Sequence, residues 1–191
     1  MAGGIQKALY KSVIANYSLR KATLVTTLFA VLGVASLIIH RTNTRVDWLL
    51  ALPLIIFYAT LCINTFFSVR LFSSLIPPDD IAHNVIDLVL AILYATLAWF
   101  LYDRNLFIFI AGLMFAGATI KYSYALKNIP YKELLRKKIF IDNIGTFISI
   151  ITYAASIFVH PSLFLWIWSI GFLITNIYIL YIKPLYTLDQ A

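Results

Sequence analysis

Long apolar runs broken by short polar ones make up this chain. Stretches dominated by Leu, Ile, Val, Phe, Ala and Tyr occupy about residues 22–40, 48–69, 81–102, 106–126, 139–159 and 163–183. A hydrocarbon core of about 30 Å is crossed by roughly 20 apolar residues rising 1.5 Å each in a helix. Every run is about that long. None alternates apolar and polar positions as a barrel strand does, and in lipid only helices or closed barrels satisfy their own backbone. The pattern therefore predicts an all-α polytopic membrane protein with six transmembrane helices.

The polar breaks differ in length. Those at 41–47, 103–105 and 160–162 are short, so helices 1–2, 3–4 and 5–6 are expected to be antiparallel hairpins, with Asp47, Asn105 and Ser162 as N-caps of the returning helices. The break at 72–80 holds Pro77-Pro78, which stops a helix, and Asp79/Asp80, which suit the start of the next. Residues 127–138 restart after Pro130 as a short basic helix with Glu133 and Lys137 at i,i+4. Before the first span, Ile5, Leu9, Val13 and Tyr17 recur every four residues and leave Lys7 and Lys11 elsewhere. That spacing predicts an interfacial amphipathic segment over 1–21. Residues 184–191 read as a short tail.

Composition and charge then set compartment and orientation. Hydrophobic residues are 62% of the 191 and charged ones 12%, against roughly 45–50% and 25% in soluble domains. One set of loops and ends carries Lys7, Lys11, Arg20, Lys21, Arg70, Lys121, Lys127, Lys132, Arg136, Lys137, Lys138 and Lys183; the other carries only Arg41, Arg45 and Arg104. The positive-inside rule places both termini in the cytoplasm, N-in and C-in, and does not distinguish a plasma membrane from endoplasmic reticulum. Trp48, Trp99, Trp166 and Trp168 fall towards the opposite interface. The net charge of +7 reflects scarce acids, which argues against nucleic acid as a partner. Cys62 is the single cysteine, so neither an intrachain disulfide nor a zinc cluster is expected.

A weak self-match suggests parallel triplication of the hairpin. At an offset of 59, Asn84, Ile92, Tyr94 and Ala95 fall on Asn143, Ile151, Tyr153 and Ala154; at 57, Leu106, Phe107 and Ile110 fall on Leu163, Phe164 and Ile167. Asn64 falls near Thr119 and Asn176.

Polar side chains inside a span cost roughly 2.5–3.5 kcal/mol when charged, which makes them site candidates. Asn64, Asn84, Asp87, Thr119, Lys121, Asp142, Asn143 and Asn176 all lie in the first turns of odd helices or the last turns of even ones. They are expected to form a polar vestibule in the cytoplasmic half, with Asp87 pairing with Lys121 and Asp142 finding Arg70 or Lys183. Tyr94 and Tyr153, near mid-membrane, either line a pathway or bond a neighbouring helix. His83 lies beside Asp87 in sequence, and His40 and His160 lie at outer ends, where they read as caps.

No phosphate loop, metal-ligand spacing or nucleophile motif is present, so no cofactor and no metal are expected. The leading expectation is a small transporter or channel for an ion or small polar solute. The alternative is an accessory or structural subunit of a larger membrane complex, whose basic inner face of Lys132, Arg136, Lys137 and Lys138 holds anionic lipid. A third reading is an enzyme acting on lipid headgroups through Asp87, Asp142 and His83. Expected partners are the bilayer, anionic lipids, and further copies of the chain or other membrane subunits.

Overall fold

The computed structural model describes residues 2–43, 47–76, 80–128, 131–159 and 161–186, with side chains at all of these except 2–14, 41–43, 128 and 161. The expectations placed on the side chains of Ile5, Leu9, Val13 and Arg41, and on Arg45, Pro77, Pro78, Asp79, Pro130, His160 and the last residues of the tail, lie outside the described residues and side chains. The rest is all-helical, without strands: α1 (Ala2–Asn43), α2 (Trp48–Leu75), α3 (Ile81–Trp99), α4 (Arg104–Asn128), α5 (Lys132–Phe158) and α6 (Pro161–Ile177), followed by a π-helical turn, Tyr178–Ile182. Six helices are long and apolar enough to cross a membrane.

Two boundaries depart from the sequence reading. α1 is continuous over 42 residues, about 63 Å at 1.5 Å per residue, so the segment before the first span does not fold as a separate element. α5 likewise runs unbroken from Lys132, which merges the short basic helix with the fifth span. In both places nothing between the basic and the apolar stretch breaks a helix, and the backbone continues through. Lys137 still meets Glu133 at 2.8 Å.

Caps explain where α2, α3 and α4 begin. Asp47 accepts from Leu49 N–H at 3.0 Å and Asp80 from His83 N–H at 3.1 Å. At α4 the capping residue is Asp103, which accepts from Asn105 and Leu106 N–H, each at 3.1 Å; Asn105 is already helical. Ser162 is likewise inside α6 rather than at its cap. A carboxylate at the N-terminal end satisfies orphan donors and complements the helix dipole at once.

The main helix contacts close a circuit: α1 packs on α2, α2 on α6, α6 on α5, α5 on α4, α4 on α3 and α3 on α1, with a smaller contact between α2 and α4 across it. The most extensive of these is α4 with α5. Close approach depends on small residues. A Cβ added to Gly33 would meet the Tyr58 ring at 2.5 Å, one on Gly145 the Phe115 ring at 2.9 Å, and one on Gly112 the Ser149 Cβ at 3.4 Å.

Two apolar clusters result. The larger centres on Phe57, fully buried, which stacks on Trp168 at 3.9 Å and Phe172 at 4.3 Å and meets Phe107 and Phe115 edge-on. The smaller joins Leu71, Phe72, Tyr122, Leu134, Leu135, Ile179 and Leu185 near the basic end. Between them lies a polar layer.

We predict that Gly145→Ala lowers the thermal unfolding midpoint in detergent, by about 1–3 kcal/mol of overpacking against Phe115. Gly171, whose added Cβ would meet nothing within 4 Å, serves as control: Gly171→Ala should leave the midpoint unchanged or raise it, because alanine is the better helix former. Equal midpoints for the two variants would contradict the tight α4/α5 approach.

Candidate functional site

Every helix contributes to the polar layer, and the side chains meet at one end of the bundle. Lys121 of α4 reaches Asp87 of α3 at 2.5 Å, as its position in sequence suggested. Lys21 of α1 stands 3.9 Å from the same carboxylate, and His83 Nε2, one turn earlier on α3, 3.8 Å from it. One acid thus collects two lysines and a histidine.

Asp142 behaves differently from expectation. Its partner is Lys138, one turn earlier on α5, at 2.5 Å; Arg70 and Lys183 remain exposed on the outside. Lys138 therefore leaves the basic face to which the sequence assigned it. Both members of this pair are buried, Asp142 completely. An i,i+4 pair on the inward face satisfies two charges without recruiting another helix. Lys132, Arg136 and Lys137 stay exposed at the basic end.

Tyr122 sits between the two charged pairs. Lys121 Nζ lies 5.6 Å and Lys138 Nζ 5.4 Å from its ring centroid, within cation-π reach. Its hydroxyl bonds Ser68 of α2 at 2.7 Å. Asn64 of α2 donates to Asn176 of α6. Asn176 also donates to the Phe172 carbonyl at 2.8 Å, and Tyr186 donates to Asn64 Oδ1 at 2.9 Å. Thr119 donates to Asn143 Oδ1 at 3.5 Å on the exposed side of the α4/α5 contact, outside the cluster. Asn84 is exposed on α3 and lines the cavity described below.

Tyr186 and Ser68 were not legible as site residues. Tyr186 arrives because the π-helical turn, closed by Lys183 N–H on the Tyr178 carbonyl at 2.8 Å, redirects the chain and buries Leu185. The segment read as a short tail, 184–191, is folded against the bundle as far as 186. Burial raises the Tyr186 phenol above its ordinary pKa, which keeps it protonated and donating at neutral pH. Of the two tyrosines expected near mid-membrane, Tyr94 bonds Thr65 and donates to the Leu61 carbonyl at 3.1 Å, while its ring stacks on Phe29. Tyr153 packs near Phe109, 6.1 Å between centroids.

These groups border a cavity of about 910 Å³ lined by all six helices. Its walls change character along the helices. Lys21, Lys121, Asp142 and Asn176 lie towards the basic end, whereas Leu28, Ala111, Ile151 and Phe164 of the same four helices lie further along. Residues that both line the cavity and are exposed gather at the two sparsest junctions of the circuit. The large aliphatic ones are Leu28 and Leu88, on α1 and α3, and Ile144, Ile148, Ile151 and Ile167, on α5 and α6. Two buried polar atoms at its charged end, Asp142 Oδ2 and His83 Nδ1, have no hydrogen-bond partner among the described residues.

No group of three or more His, Cys, Asp or Glu that could hold a metal ion occurs among the described residues. Comparison with family models, curated proteins and solved structures finds no match to this chain.

Removing one member of a buried ion pair leaves an uncompensated charge and costs about 3–5 kcal/mol, while replacing both by apolar residues is often neutral. Lys138→Leu alone should therefore destabilise far more than Lys138→Leu combined with Asp142→Leu. Unfolding equilibria in bicelles measure both. Equal losses in the single and double variants would mean that the pair is not the unit that is buried.

Proposed function

We propose that the chain is a small membrane carrier that holds its substrate in the six-helix cavity and exposes it alternately to either side. The observation that carries this reading is the cavity itself, about 910 Å³ with fixed charges at one end and contributions from every helix. Ligand sites are typically about 300–1,000 Å³, mostly apolar, with a few convergent polar groups that orient the ligand. A channel for a bare ion fits less well. Its polar groups would have to replace hydration along the whole path, and here the charged groups are confined to one end, with Leu, Ile and Phe beyond.

In the proposed arrangement helices 1–2, 3–4 and 5–6 are three antiparallel hairpins with both termini cytoplasmic, and the charged end of the cavity faces that side. Lys132, Arg136 and Lys137 would hold the basic end against anionic headgroups, at about 1 kcal/mol each. The enzyme reading loses ground on geometry. His83 and Asp87 stand together, but Asp87 is held by Lys121 and Asp142 by Lys138, so both acids it needs are already engaged by lysines.

Access to the cavity tests the proposal. In a Cys62→Ala background, single cysteines at Thr152 within the cavity, at Lys132 and at Asp103 are labelled in sealed vesicles with a membrane-impermeant thiol reagent. Lys132→Cys should react from the cytoplasmic side only and Asp103→Cys from the opposite side only. Thr152→Cys should react from both, with the balance shifted by Asp87→Asn. A Thr152 thiol that never reacts, or reacts from one side alone whatever the state of Asp87, would remove the carrier reading and leave a docking or structural subunit.

A further inference from the structure

Resting on the carrier reading, we infer that the cavity takes an acidic amphiphile: an anionic oxygen headgroup, carboxylate or phosphate, on an apolar chain that enters sideways from the lipid. Polarity along the walls is the first ground. On α4 the lining runs ten residues from Lys121 to Ala111, and on α5 nine from Asp142 to Ile151. These are about 15 Å and 14 Å of helix at 1.5 Å per residue, with one pole charged and the rest apolar. A small polar solute would use only the pole, whereas a headgroup with a chain uses both.

Charge fixes the sign of the headgroup. Lys21, Lys121 and Lys138 stand against Asp87 and Asp142, so the pole holds one cation more than its acids neutralise, with His83 neutral. Lys21 is the loosest of the three, 3.9 Å from Asp87 and with its side chain 37% exposed, and so is the lysine placed to turn towards an arriving anion. Asp142 Oδ2 and His83 Nδ1, buried at the same pole, call for a hydroxyl or acid proton on the same headgroup. Either anion meets the first demand, which a quaternary ammonium cannot, and a phosphate monoester that keeps one O–H meets the second as well.

The seams supply the route. Ile144, Ile148, Ile151 and Ile167 line the cavity and are exposed between α5 and α6, so lipid-facing surface and cavity wall are continuous there. A water-soluble substrate gains nothing from an apolar lateral opening, and a chain dissolved in the bilayer passes through it without meeting water.

Trp168 lines the cavity and provides the reporter. With Trp48, Trp99 and Trp166 replaced by Phe, the protein in phosphatidylcholine nanodiscs is titrated with chain-brominated dodecanoate, dodecyl phosphate and dodecyltrimethylammonium, whose bromine quenches indole on contact. We expect saturable quenching by one or both anions, half-saturation at least about tenfold higher for the cation, and about a tenfold weakening of the anions in Lys21→Gln, the loss of one charge contact. The two anions separate a carboxylate ligand from a phosphate one. Native mass spectrometry of the unmodified protein with unbrominated dodecanoate or dodecyl phosphate checks that one molecule is retained, independent of the Trp replacements. Linear quenching identical for all three headgroups, or preference for the cation, overturns the inference. If the Thr152 thiol is reached from both sides while no anion binds saturably, the carrier reading stands and the amphiphile falls; saturable binding with one-sided access does the reverse.

Discussion

A carboxylate held among helices in hydrocarbon has no water to turn to, so it must meet a cation, accept hydrogen bonds from protein, or give up its charge. Much of the architecture follows from how Asp87 and Asp142 meet that demand. Asp87 does so across helices, drawing Lys121 from α4 and Lys21 from α1 onto α3. Asp142 does so within α5, through Lys138. The first solution ties three helices together at one depth; the second leaves α5 free to be positioned by packing, which its contact with α4 through Gly145 and Gly112 supplies. Tyr122 joins the two solutions, since both lysines lie over its ring and its hydroxyl holds α2 through Ser68.

Much of this was written in the order of residues. The six long apolar helices follow from run length alone. The Asp87–Lys121 pair follows too, because a short connection sets the end of α4 beside the start of α3. Lys138 was misplaced for an identifiable reason. It stands at the end of a basic run, and charge counting assigned it to the surface with Lys137, although its i,i+4 spacing to Asp142 was equally visible. Periodicity would have separated them: Lys138 shares the inward face with Leu134 and Leu135, and Lys137 does not.

What sequence order does not encode is which helices meet when they are not consecutive. The α2/α6 contact rests on Asn64 with Asn176 and on Phe57 stacked between Trp168 and Phe172, and nothing in either run names the other. In water such a seam would be chosen by burial of apolar faces. In lipid that drive is absent, and steric fit with a few hydrogen bonds decides it. The π-helical turn is similarly silent, since its five residues read as the continuation of an apolar span. Yet it sets the end of α6 and carries Tyr186 onto Asn64, so the chain beyond the last span becomes part of the polar layer.

The same energetics bear on the cavity. An apolar cavity left empty forfeits the dispersion contacts that its lining atoms would otherwise make, so a cavity of about 910 Å³ is costly unless something fills it. Water relieves this only where polar partners anchor it, which restricts it to the pole around Asp87 and Asp142. Beyond Leu28 and Ala111 the walls turn mainly apolar, Thr152 excepted. Hydrocarbon would suit that compartment, and on the proposed reading a bilayer would supply it through the α5/α6 and α1/α3 seams. On that reading one feature, a compartment that a chain would fill and a charged pole that would select among chains, links the bundle's stability to what it would bind.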